Sequence, residues 1–154
     1  MIKVTQEEVN EAIRLHGLWL IDKATGKRAY FNRKDLSGLD LRGFDFRFAN
    51  FMGADLGFAD LRDANFSNAN LSNANLNNAD FSGAYLSDAD LSKANLSSAN
   101  LSRASLGFAD LSGADLSSAN FSGADLSFSN LDGATYSSKT IFPALGDNMI
   151  LKED

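Results

Sequence analysis

The chain contains no cysteine, a single histidine and a single proline. Without cysteine there is no disulfide framework and no thiolate metal site. His16 alone cannot supply a multi-histidine metal or catalytic arrangement. No apolar run approaches the ~18 residues of a membrane span. The opening residues Met1 to Glu8 also lack the apolar core of a secretory signal. Length and composition therefore predict one cytoplasmic domain with no metal, no cofactor and no membrane partner.

Glutamate is also absent from residues 35–133, where the acidity comes from thirteen Asp set against five basic residues. Residues 1–34 carry seven basic and four acidic side chains, so the leader is net positive and the body net negative. An acidic body disfavours direct binding to nucleic acid or anionic membranes and permits binding to basic surfaces. The basic leader (Lys23, Lys27, Arg28, Arg33, Lys34) either binds something or balances the acidic body.

What the chain has in abundance is a period. Every fifth residue from Leu36 to Leu131 is Leu or Phe, twenty positions without a slip, and Ala lies two places before sixteen of them. Neither a helix nor a flat strand keeps a five-residue stripe on one side. Self-similarity at a fixed period implies a solenoid whose units bury their apolar faces against one another. Leu or Phe is the large buried plug, and Ala is the small residue where the backbone turns inward. Two places after the plug stand seven Gly and three Asn, residues that accept the positive φ of a type II turn. Before the plug stands Asp or Asn, whose side chain can bond to nearby backbone; only Tyr85 and Ser105 depart from this.

The unit Ala-(Asp/Asn)-Leu-Ser-X, as in Ala94-Asn95-Leu96-Ser97-Ser98, resembles the signature of the pentapeptide-repeat family. The resemblance covers residues 35–133. It implies an all-β solenoid, a right-handed quadrilateral β-helix with four pentads per coil, hence about five coils and a rod of roughly 24 Å. Three regions are expected: an N-terminal cap over 1–34 (helix plus short extended segment), the β-helix over 35–133, and a C-terminal cap over 134–154. In many bacterial members of that family a Trp-Leu segment comparable to Trp19-Leu20 leads into the first repeats, so the resemblance extends to the leader.

For the N-terminal cap, Thr5 and Glu8 are spaced as a capping box, with Val4 and Val9 as its staple. Val9, Ala12, Ile13 and His16 fall on one helical stripe, and Gly17 is placed as the stop. Leu39 and Phe44, where later coils carry Ala, predict extra bulk filling space against this lid. At the other end, Ile141, Phe142, Met149, Ile150 and Leu151 are candidates to cover the last coil, with homodimer formation through the C-terminal segment as the rival reading.

The candidate interaction surface is aromatic and acidic. Phe48, Phe108 and Phe128 share one side at the outer, second-after-plug position, and Phe58 occupies the same place on another side. Because Phe accepts positive φ poorly, these corners are expected to use a different turn. Phe108 and Phe128 lie one coil apart, roughly 5 Å, so their rings either form a contact patch for a partner or a second copy or tuck over the adjacent coil edge. Asp40, Asp60 and Asp80 stack on one face, with Arg42 and Arg62 close enough to neutralise them. Asp35, Asp55 and Asp115 are the carboxylates that would matter if the rod imitates duplex DNA.

Three functions compete. A non-enzymatic rigid scaffold for protein–protein interaction fits the regular rod and its exposed rings. The alternative, which the family resemblance implies, is DNA mimicry directed at gyrase or another topoisomerase. Duplex DNA presents about fourteen charges over roughly 24 Å, whereas the repeat block offers a net eight, spread over four sides. An enzyme needs a cleft with convergent reactive groups, which a filled convex rod does not provide. The sequence thus predicts a scaffold with an unidentified protein partner and no catalytic, cofactor or metal residues.

Overall fold

The computed structural model describes residues 1–144; Met149, Ile150 and Leu151 lie outside the described residues. A two-residue strand β1 (Ile2–Lys3) precedes helix α1 (Gln6–Ile21). Strand β2 (Lys34–Asp35) then pairs in parallel with β1, Ile2 opposite Lys34 and Lys3 opposite Asp35.

The rest of the chain is held by parallel bridges at a fixed interval. Asp35 pairs with Asp55, Asp40 with Asp60, Asp45 with Asn65 and Asn50 with Asn70, and the series continues to Asp115 with Thr135. Each partner is twenty residues on, so four pentads complete one turn of the chain. At every bridge the plug N–H donates upward, as from Leu36 to Asp55 O at 2.7 Å, and the partner N–H donates back, as from Asp55 to Lys34 O at 2.9 Å. Backbone polar groups are thereby satisfied between coils, as their burial requires.

Nearly every corner is closed by an N–H to C=O bond three residues back, such as Ala49 to Phe46 at 2.9 Å. Its third residue has positive φ at every corner, from Gly38 at 70° to Gly133 at 68°. Phe48, Phe58, Phe108 and Phe128 were expected to need a different turn and do not. Their φ values are 64°, 59°, 61° and 59°. The inter-coil hydrogen bonds fix the corner geometry, and the aromatic residue is forced into it. Phe has no left-handed preference of its own, so the lattice of bonds overrides local propensity.

Inside, the plugs from Leu36 to Phe121 are fully buried, as are the Ala residues beside them. Rings stack through the first coils, with Phe46 and Phe66 at 4.9 Å and Phe31 and Phe51 at 5.1 Å. Phe31 is itself buried, Ala29 lies two places before it, and Tyr30 bridges to Asn50. The repeat pattern therefore reaches back one pentad beyond residue 35, to Ala29-Tyr30-Phe31-Asn32-Arg33.

Helix α1 begins with the expected capping box. Thr5 N–H donates to Glu8 Oε2 at 2.8 Å, and Glu8 N–H to Thr5 Oγ1 at 3.2 Å. Val4 and Val9 are both buried in the common core, with Ala12, Ile13, Leu39 and Phe44 packed against it. Gly17 is not the stop. The helix continues through Leu18–Ile21 and ends at Asp22, whose N–H bonds to Leu18 O at 2.9 Å. Gly26 is the glycine that the return requires. A Cβ there would lie 2.2 Å from Trp19 N and 2.3 Å from Leu15 O, so the chain can pass this close to the helix only without a side chain.

The far end departs from the period. Asn120 pairs with Ile141, one residue later than twenty, and Ser137 and Thr140 side chains accept the Ser118 N–H. Phe142 stacks on Phe121 at 5.8 Å and meets Tyr136 edge-on at 5.5 Å. Phe142 thus covers the last described coil, whereas the Ile141 side chain is 52% exposed.

Candidate interaction surface

The twenty-residue turn places corner residues in vertical columns. One column contains Phe48, Asn68, Asp88, Phe108 and Phe128, each at a positive-φ corner two residues before a bridge partner, and Arg28 lies beneath its lower end without the corner conformation. At its upper end Phe108 and Phe128 stack face to face, centroids 5.0 Å apart and planes 14° from parallel. They are 63% and 65% exposed, so the rings stand out from the corner instead of folding over the neighbouring coil edge.

Phe48 lies three coils below Phe108 and does not join the pair. It is less exposed and borders a cleft of about 300 Å³ with Trp19, Leu20, Lys23 and Arg28. Arg28 Nε donates to Phe48 O, and its guanidinium lies 5.2 Å from the Tyr30 ring. Lys23 Nζ sits 5.6 Å from the Trp19 ring centroid. The sequence pattern did not reveal that Arg28 lies below this column, because it precedes the first pentad, whose plug is Phe31 and whose positive-φ corner residue is Arg33.

The three carboxylates are divided among structural bonds. Asp35 Oδ1 accepts from Ser37 Oγ at 2.7 Å, Ser37 N–H at 2.9 Å and Lys3 Nζ at 3.2 Å. These bonds, the serine's foremost, hold its carboxyl down to about 2. Asp55 Oδ1 accepts from Gly57 N–H and from the Asn75 amide, both at 2.9 Å. Asp115 accepts the Ser117 N–H at 2.9 Å, and bonds to Ser117 hold its carboxyl below the usual range. Asp or Asn before the plug closes such a turn throughout the rod, as at Asn65, Asp90 and Asp125.

Arginines neutralise part of the acidity. Arg42 bonds to Asp40 at 2.7 Å and lies 3.5 Å from Asp60, while Arg62 bonds to Asp60 at 2.6 Å. Arg47 pairs with Asp45 at 2.8 Å. Among the described residues, Lys23, Lys27, Arg28, Arg33 and Lys34 make no ion pair, and the leader's ion pair to the rod is that of Lys3 with Asp35 at 3.2 Å. No group of three or more potential metal ligands occurs among the described residues, and no described helix is long and apolar enough to cross a membrane.

The family model for pentapeptide repeats matches in eight copies, over residues 29–68, 64–103 and 99–135. No curated protein matches the chain. Among solved structures, the pentapeptide repeat protein Rfr23 of the cyanobacterium Cyanothece 51142 is similar at 26% identity and a TM-score of 0.63, over 70% of this chain and 90% of that one. HetL, a pentapeptide repeat protein involved in heterocyst differentiation regulation in Nostoc sp. strain PCC 7120, is 30% identical over 77% of this chain and 68% of its own, with a TM-score of 0.31. Trypsin-treated QnrB1, a plasmid-mediated fluoroquinolone resistance protein, is 20% identical over 71% of this chain and 68% of its own, with a TM-score of 0.40.

Proposed function

Because this chain belongs to the pentapeptide-repeat family, we propose that it acts as a non-enzymatic, rigid scaffold that binds another protein through the Phe108/Phe128 corner. Members of this family adopt a right-handed quadrilateral β-helix and are generally structural or interaction scaffolds. On this reading the chain is a five-coil rod capped by α1 below and by the segment from residue 134 above, working in the cytoplasm.

One observation carries the reading. Two large apolar rings stand stacked and about two-thirds exposed, at backbone positions where φ near +60° disfavours a bulky side chain. Gly or Asn would suit those corners better, so the rings are explained by what they touch. Rigid aromatic anchors lose little entropy on binding and dominate contact energetics.

DNA mimicry of a gyrase substrate is the weaker reading. The column of Asp35, Asp55 and Asp115 is interrupted by the neutral Asn75 and Asn95, and Arg42, Arg47 and Arg62 cancel neighbouring charge. A gyrase supercoiling titration at two salt concentrations separates the two. Salt-sensitive inhibition or drug protection at low stoichiometry would overturn the scaffold reading; indifference at large excess supports it.

A further inference from the structure

The column of five corner residues, together with Arg28 beneath it, is self-complementary when read from its two ends. Going up the rod it presents a cation, a ring, an amide, a carboxylate and then two rings, one residue per coil at about 4.8 Å spacing. Lay a second copy antiparallel beside it, with the midpoint between the levels of Asn68 and Asp88. Arg28 then faces Phe128, Phe48 faces Phe108, and Asn68 faces Asp88, and each pairing occurs twice by symmetry. These are a guanidinium over an aromatic face, a ring on a ring, and an amide donating to a carboxylate. We propose that the chain forms an antiparallel, two-fold homodimer along this corner. The inference rests on the Phe108/Phe128 corner being a contact surface and names a second copy as its occupant.

Three observations favour a second copy. Arg28 bonds to Phe48 O and lies against the Tyr30 ring but has no carboxylate partner among the described residues, and the cleft it borders with Phe48 and Trp19 gives an incoming Phe128 ring a place to insert. The basic lower end and the acidic upper end of the rod are brought together at both halves of the contact. The flanking residues agree: Asn50 would face Asp110 and Asn70 would face Asp90, with no like charges opposed.

Other registers fail on the same chemistry. A shift of one coil upward sets Asp88 against Asp88, and a shift downward leaves Phe128 without a partner. A parallel pair opposes Arg28 with Arg28 and Asp88 with Asp88. Only a closed, isologous antiparallel pair satisfies all six positions. A strip one corner wide falls below the ~1,200–2,000 Å² of stable interfaces, so the dimer is weak and reversible.

Sedimentation equilibrium of the purified chain across micromolar to millimolar loading tests this. The wild type should pass from monomer to dimer, and Phe108→Ser/Phe128→Ser should stay monomeric. Asn68→Asp places two Asp–Asp pairs at the centre and should weaken the dimer about tenfold, whereas Asn68→Lys should tighten it in a salt-sensitive way. Both substitutions suit the corner, since Asp88 and Lys93 hold φ of 58° and 57° at equivalent places. A monomer at every loading overturns the dimer, and so does a dimer indifferent to both Asn68 changes. A monomeric wild type that still captures another protein through Phe108/Phe128 overturns the dimer alone and leaves the scaffold reading standing.

Discussion

The backbone N–H of Ala29 donates to Nδ1 of His16 at 3.2 Å, which ties helix α1 to the first coil. With Nδ1 accepting, the proton sits on Nε2, which donates to Arg47 O at 3.0 Å. The ring is fully buried and stacks on Trp19 at 5.5 Å. The lone histidine is a packed structural residue, satisfied only when neutral.

That arrangement makes the lid sensitive to pH. Burial lowers the His16 pKa below 6.5, outweighing the bond to Arg47 O and the charge of Asp45. The unfolded chain then binds the proton more readily, so this contribution is complete above pH 6.5 and is lost as pH falls through the lower folded value. Urea unfolding should show wild-type stability dropping below pH 6.5, ahead of the carboxylate range. His16→Gln should be flat there; an equal drop in the variant would place the proton elsewhere.

Gly26 is predicted to be intolerant although it lies in a surface turn. Gly26→Ala drives a methyl group into the backbone at Leu15 and Trp19. Displacing the turn should cost about 2–4 kcal/mol by chemical denaturation. Gly17→Ala, with nothing near the added methyl, should instead stabilise the helix by about 1 kcal/mol.

Removing an exposed aromatic should not destabilise the rod. Phe58 is 68% exposed with φ of 59°, and the equivalent corner one coil above is Asn78 at 57°. Phe58→Asn relieves left-handed strain and should leave stability equal or raise it by about 0.5–1 kcal/mol. A clear fall in Tm would mean that the ring packs on the coil.

Asp and Asn before the plug are not interchangeable. The Asn100 amide donates to Asp80 Oδ1 one coil below at 3.0 Å, while its own Oδ1 accepts the Ser102 N–H. Asn100→Asp keeps the acceptor, loses the donor and sets two carboxylates together. It should cost about 1 kcal/mol at neutral pH, partly recovered in acid. Asn65→Asp, where the residue below is Asp45 but the Asn65 amide makes no bond to it, should cost less.

Much of the rod was legible because a buried plug every fifth residue admits few backbones. Leu36 to Leu131 announced the column of plugs, and Thr5 with Glu8 announced the helix start. Phe31 was obscured because its pentad opens inside the basic leader and lacks the Asp/Asn mark. Gly17 misled because a stop signal is local, whereas the demand for Gly26 comes from chain segments eleven and seven residues away. The Phe corners misled for a related reason: bonds between coils set φ there, and no single-residue propensity reports them.

At the surface, the sequence placed Phe108 and Phe128 one coil apart, but only the folded corner shows both rings facing outward. Of the carboxylates, position alone could not show that Asp35 and Asp115 are spent on Ser37 and Ser117. Asx bonding is a matter of rotamer and turn geometry, which follows from the coil and not from the count of acidic residues.

The most direct test of the account is quantitative cross-linking capture from a native lysate, comparing wild type with Phe108→Ser/Phe128→Ser after both are shown to unfold at the same denaturant concentration. The account predicts that specific capture is lost in the variant while Phe58→Asn captures as the wild type does. Undiminished capture by the double variant would contradict it.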